Sequence, residues 1–206
     1  MENIEQLFVV EKSSHTYEGD IKSLKDSVMN LDVTTHLELD PANGIHCTTG
    51  SLGHGLPIAT GMAMARKRKN HTGRIYVMIS DGECQEGTTW ESLLIGAKHK
   101  LNNLIVLVDY NRIQALTSLE EALPLDNLAA KFESFNWACT EVFNGHNFEE
   151  LIPALNVDDS IESPRAIIVH TIKGKGVKAF ENDPAWHARK IKGAELEVGK
   201  LELGLE

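Results

Sequence analysis

The chain has 206 residues, with 20 Lys and Arg against 30 Asp and Glu, giving a formal net charge of −10. One globular domain fits that length, and an acidic chain without a basic stripe argues against a nucleic-acid partner and an anionic membrane surface. Cys47, Cys84 and Cys139 are odd in number and widely spaced, so neither a disulfide framework nor a zinc site is expected, and a cytoplasmic, reducing setting is the plain expectation.

In chain order, the N-terminus holds a four-residue apolar run between charges, too short for a signal-peptide core, and no stretch reaches membrane-spanning length. Residues 1–45 show little apolar periodicity and form an atypical N-terminal segment. An alanine- and methionine-rich helix is expected over about 52–69, its basic end suited to the C-terminal dipole. Continuous apolar runs at 74–79, 104–109 and 165–171 suit strands buried on both faces. Between the first two, Trp90, Leu93, Leu94 and Ala97 follow helical spacing, which makes a βαβ unit. Segments 127–135 and 147–155 predict helices on either side of a strand at 136–143. Residues 193–206 form an acidic, Leu-spaced tail or short surface helix. The expected fold is α/β: a single domain over 1–206, with a doubly wound, mainly parallel sheet and helices on both faces.

The chemistry gathers at two strand ends. Asp81 and Asn111 each follow an apolar run at opposite ends of the βαβ unit, and ligands of open parallel sheets sit beyond the carboxyl ends of strands. A carboxylate and an amide carbonyl suit Mg²⁺, which completes its shell with water and phosphate oxygens. Gly82 lets backbone approach a diphosphate. Taken singly, Asp-Gly after a strand reads as a turn, and Asp-Tyr-Asn as a cap or loop. Their pairing, with the glycine-rich "TTGSLGHG" upstream, implies a metal-bound diphosphate.

Four blocks in order, "TTGSLGHGLPIATGMAMA", "SDGECQEGTTWES", "KLNNLIVLVDYNRIQ" and "HTIKGKGV" followed by "AWH", resemble the N-terminal, diphosphate-binding half of transketolase-like thiamine diphosphate enzymes. The resemblance spans about residues 35–190. It implies that Asp81, Asn111 and the Ile113 carbonyl hold Mg²⁺ or Ca²⁺ and that Gly82 donates its N–H to the diphosphate. It further implies that Gly50 and Leu52 lie beside the aminopyrimidine, with Ser51 and Glu83 also in the cofactor-binding set. His187 matches a histidine near the diphosphate and substrate. His36 keeps the spacing of another site histidine, although a surface-loop histidine explains it equally well. Glu86 and Glu91 match acidic residues that face a partner across the cofactor; they also suit a helix N-terminus, and the two readings are compatible.

Ser80 stands where the family usually has Gly, and Ala188 follows His187 where Gly is common. The usual long N-terminal helical segment is also reduced to about fifty residues before Gly50, with His15 a worn echo of its motif. The glutamate that activates the cofactor belongs, in the family, to a pyrimidine-binding domain. The resemblance therefore implies a separate pyrimidine-binding, C-terminal subunit, in an α₂β₂ assembly or around a homodimer core. The implied activity is transfer of a two-carbon ketol unit from a ketose to an aldehyde. Two alternatives stand beside it: part of a decarboxylating or acyloin-forming enzyme, and a non-catalytic cofactor-binding or regulatory subunit. An unrelated nucleotide-binding fold has no GxGxxG or GxxxxGK[ST] to support it.

Overall fold

The apolar runs of the chain align into one five-stranded sheet of order β1-β2-β3-β5-β4 in the computed structural model, which describes residues 6–10, 39, 47–156, 158, 160–187 and 189–205. Strands β2 (Arg74–Ser80), β3 (Leu104–Tyr110), β4 (Ala138–Val142) and β5 (Arg165–His170) run parallel. At the edge, β1 (Gln6–Val10) pairs antiparallel with β2, Gln6 opposite Met78 and Val10 opposite Arg74. This strand has no counterpart in the sequence expectation, because four apolar residues without a flanking turn signal establish no period.

Helices cover both faces, as expected of a doubly wound sheet. On one face α1 (Gly55–Arg68), α2 (Gly87–Lys98) and α4 (Leu128–Ser134) pack Leu56, Leu93 and Phe132 onto Ile75, Val77, Val106 and Ile168. On the other, α5 (Phe148–Leu155) sets Leu151, Ala154 and Leu155 against Ile105, Ile167 and Val169. A short α3 (Leu119–Ala122) follows β3. The Trp137 ring lies against Gly96 of α2, and its Nε1–H donates to the Leu93 carbonyl at 3.0 Å, locking α2 to the start of β4.

Burial of β2 differs from expectation. Ile75, Val77 and Ile79 are fully buried, but Tyr76 and Met78 on the opposite face are only half-buried. The cause is the seat of α5, which packs over β3, β5 and β4, so Met78 instead lines a cleft. The acidic C-terminal stretch forms helix α6 (Ala194–Glu202), whose Gly199 packs near the Phe180 ring.

After β3 the chain crosses to the edge strand β4 and returns through α5 to β5, which inserts between β3 and β4. The loops leaving β2, β3 and β5 therefore open side by side at one end of the sheet, where a doubly wound fold binds ligands. Among the described residues, no helix is long and apolar enough to cross a membrane.

Candidate functional site

Sheet register decides which loop residues meet. Ser80 lies opposite Asp109, and Tyr110 opposite His170. The ladder runs one step beyond the strands: Asp81 N–H donates to the Asp109 carbonyl at 3.2 Å, and Thr171 N–H to the Tyr110 carbonyl at 3.4 Å. Asp81, Asn111 and Thr171 consequently leave three adjacent strands at one edge.

Side chains then tie the loops together. The Asp81 carboxylate accepts the Arg112 backbone N–H at 2.7 Å, which fixes the turn after β3 onto the turn after β2. Arg112 takes a left-handed backbone conformation, φ 63°, to make that turn. Asn111 Oδ1 accepts the Ile113 N–H at 2.9 Å, while its Nδ2 donates to Asp109 Oδ2 at 3.2 Å. The Thr171 hydroxyl donates to the other Asp109 oxygen. Asp109 thus orients Asn111 from one side and holds the β5 loop from the other.

The site is electrostatically unfinished. Asp81 is 2% exposed, and burial pushes its carboxyl up from the ordinary 3.8 to about 6. The N–H groups of Arg112 and Gly82 pull it back, Asp109 adds to the rise, and Lys173 opposes it. Burial also lowers the Lys173 ammonium, against the pull of Asp109 and Asp81. A cation beside Asp81 would relieve the cost of its buried charge. The donors suit that cation: one carboxylate, an amide oxygen and a backbone carbonyl are hard oxygens of the kind Mg²⁺ and Ca²⁺ take. Among the described residues there is no cluster of three His, Cys, Asp or Glu side chains fit to hold a metal, so a soft N/S site has no candidate there.

Above these groups opens a cleft of about 530 Å³. Its floor carries Asp81, Asn111 and Lys173, and Met78, Leu107 and Val169 make one apolar wall. Gly145 reaches the rim because no side chain fits there: a Cβ would fall 2.3 Å from Val169 Cγ1 and 2.9 Å from Thr171 Cγ2. His146 follows, its Nε2 accepting the Ile172 N–H at 2.8 Å, which clips the β4–α5 loop to the β5 loop.

The glycine-rich segment before α1 approaches from the other side. Gly53 has φ +79°, and a Cβ there would fall 2.5 Å from Thr88 Oγ1, so the position requires glycine. Thr88 Oγ1 donates to the Gly53 carbonyl at 2.7 Å. Glu83, fully buried, accepts Gly53 N–H at 3.1 Å through Oε1 and Ser80 N–H at 3.3 Å through Oε2. One carboxylate therefore joins the glycine-rich loop to the end of β2.

Of the residues expected from sequence, Leu52, Asp81, Gly82, Asn111 and Ile113 line the cleft together. Gly50 is half-buried and Ser51 exposed in the adjoining loop. Glu83 was expected among the cofactor-binding residues; the structure places it beneath the loops, where two backbone N–H groups hold it. Glu86 is the exposed N-cap of α2 and Glu91 is exposed on the same helix. His187 is half-buried but is not brought to the cleft lining. Its turn is held by the Trp186 ring, which packs on Phe180 at 4.1 Å and lies beneath the Arg189 guanidinium at 4.5 Å. His36 and His15 lie outside the described residues. Asp109, Thr171, Lys173, Gln114 and His146 are site residues that sequence reasoning missed. "HTIKGKG" held a signal for Lys173, a lysine between glycines and a strand end, but the others depend on register.

Residues 14–206 match the family described as transketolase, thiamine diphosphate binding domain. The chain belongs to that family. It is similar to an apulose-4-phosphate transketolase subunit of Actinobacillus succinogenes, 37% identical over 78% of this chain and 58% of that protein. It is similar as well to the 6-deoxy-6-sulfo-D-fructose transketolase subunit SqwG of Clostridium sp., 35% identical over 84% of this chain and 62% of that one. The chain thus spans about six-tenths of the length of these two curated relatives. Among solved structures, the transketolase of Campylobacter jejuni superposes with a TM-score of 0.70 at 30% identity, over 80% of this chain and 27% of that one. The cleft at the carboxyl ends of β2, β3 and β5 therefore belongs to a domain of the thiamine diphosphate binding family.

Proposed function

We propose that this chain is the diphosphate-binding half of a two-subunit transketolase-like enzyme that moves a two-carbon ketol unit from a ketose donor to an aldehyde acceptor. The observation that carries this reading is the convergence of Asp81, Asn111 and Ile113 beneath a cleft that also holds Lys173. Those oxygens would hold Mg²⁺ or Ca²⁺, and Gly82 N–H and Lys173 would face the diphosphate charge. Leu52 would offer an apolar surface to the ring system. When bound, thiamine diphosphate supplies an electron sink for breaking the bond beside a carbonyl. Acid–base roles for His36 and His187, and a proton link toward a partner through Glu86 and Glu91, rest on the sequence blocks alone.

The proposed partner is a second polypeptide that carries the pyrimidine-binding domain and the activating glutamate, in an α₂β₂ assembly or around a homodimer core. Outward-facing Leu94 and Ile95 on α2, 59% and 45% exposed, support a covered surface beside Glu91. The odd number and wide spacing of Cys47, Cys84 and Cys139 support a cytoplasmic location. Mixing the chain with a pyrimidine-domain subunit from an adjacent gene, and following ketose consumption with an aldehyde acceptor, tests the reading. Transfer by the mixture and by neither component on its own supports it. Folded, cofactor-loaded mixtures that never consume a ketose contradict it.

A further inference from the structure

The Gln114 carboxamide is the one buried donor on the cleft wall that lacks a partner among the described residues: its Nε2 is shielded from water and makes no hydrogen bond. Leaving such a group unpaired is costly, and a water, an ion or a ligand atom can satisfy it.

Its placement is rigid. Gln114 N–H donates to the Thr117 carbonyl at 2.9 Å, Ile113 bridges antiparallel to Ser118, and Leu119 N–H donates to the Arg112 carbonyl at 2.9 Å. These bonds close the loop after β3 into a small hairpin that carries Gln114 directly after the proposed metal-binding carbonyl of Ile113. Its Nε2 sits 3.8 Å from where a Cβ on Gly82 would lie, with Ser80 Oγ at 3.6 Å from the same point. Gly82 has no side chain to fill that space, so the amide faces the backbone expected to meet the diphosphate. Metal-bound diphosphate oxygens are chiefly hydrogen-bond acceptors, and a carboxamide N–H₂ supplies two donors without adding charge to a site that already holds Asp81, Asp109 and Lys173.

We propose that Gln114 donates its side-chain N–H₂ to an oxygen of the cofactor diphosphate, a positioning contact beside Gly82. This rests on the cofactor reading above and adds a residue to it. The contact fixes the diphosphate against the β2 turn, and so sets how far the ring system reaches into the cleft.

The test uses the full chain, with the partner subunit present if cofactor binding requires it. Thiamine diphosphate and inorganic pyrophosphate, each with Mg²⁺, are titrated by calorimetry into wild type, Gln114→Leu and Gln114→Glu. Leucine keeps the bulk and loses the donors, and is expected to weaken both ligands about ten-fold. Glutamate adds repulsion and should weaken them further. In ¹⁵N-labelled chain, the Gln114 side-chain N–H₂ resonances, assigned by their loss in Gln114→Leu, should shift on adding Mg²⁺-pyrophosphate. Thermal unfolding separates a folding defect, and Gln114→Ala replaces a variant that does not fold. Wild-type binding with unchanged variant affinities and unshifted resonances overturns the Gln114 assignment alone. No binding by folded wild type overturns the cofactor reading and this contact with it.

Discussion

Asp81 and Arg112 are joined by one bond, the Arg112 backbone N–H to the Asp81 carboxylate at 2.7 Å, between turns that are 31 residues apart in sequence. That bond makes the ends of β2 and β3 a single unit. It leaves the rest of the Asp81 carboxylate beside Asn111 and Ile113, where a divalent ion would tie the same two turns a second time.

Asp81 should therefore be a cost to the metal-free fold. Its folded pKa of about 6 lies above the ordinary 3.8, so the stability it contributes is fully present below about pH 3.8 and lost as pH rises through about 6. In EDTA at pH 8, Asp81→Asn is expected to be the more stable chain, by up to about 3 kcal/mol, with the gap closing toward pH 4. Urea unfolding at the two pH values measures this. A variant less stable than wild type at pH 8 contradicts it.

Glycine at 53 should be irreplaceable while glycine at 61 is not. A Cβ on Gly53 meets Thr88 Oγ1 at 2.5 Å and Glu86 Cβ at 2.8 Å at a positive φ, whereas one on Gly61 of α1 meets nothing within 4 Å. Gly53→Ala is expected to cost about 1–3 kcal/mol and to disturb the glycine-rich loop. Gly61→Ala should be neutral or stabilise by about 0.5–1 kcal/mol through helix propensity. Equilibrium unfolding of the two variants compares them directly.

Lys173 lines the cleft with Asp81 and Asp109 and interacts with the charge of both. Its replacement by methionine removes positive charge that competes with a metal and attracts a diphosphate. Lys173→Met is expected to bind Mg²⁺ alone more tightly, yet Mg²⁺-pyrophosphate about ten-fold more weakly. Calorimetry with the two probes should show opposite signs; a parallel change in both would place Lys173 outside the anion site.

The buried Cys84 thiol and the half-buried Cys139 thiol should react slowly. Burial pushes Cys139 up to about 12 and raises Cys84 as well, so neither forms thiolate near pH 8. Iodoacetamide followed by mass spectrometry should modify Cys84 only after denaturation and Cys139 far more slowly in the folded than in the denatured chain. Rapid labelling of Cys84 in the folded chain would contradict its complete burial.

The βαβ unit was legible because apolar strand runs and the 3.6-residue spacing of Trp90, Leu93, Leu94 and Ala97 are local signals. Asp81 and Asn111 were legible for the same reason, as polar residues directly past strand ends. Asp109 and Thr171 were not: they meet only because β3 pairs with β5 in one register across 62 positions of sequence. Glu83 read as a cofactor-binding residue, and its burial under Gly53 and Ser80 depends on a loop that arrives from thirty residues upstream. The sequence placed His187 in a recognisable block but could not show that Phe180 and Arg189 would gather around its neighbour Trp186.

The central claim is that the Asp81 and Asn111 turns hold metal-bound thiamine diphosphate. Calorimetric titration of thiamine diphosphate with Mg²⁺, into wild type and Asp81→Ala, each alone and mixed with the pyrimidine-domain subunit, tests it most directly. The account predicts saturable binding by wild type, strongest in the mixture, and none by a folded Asp81→Ala chain. Equal binding by the two chains, or none by folded wild type in either setting, would contradict it.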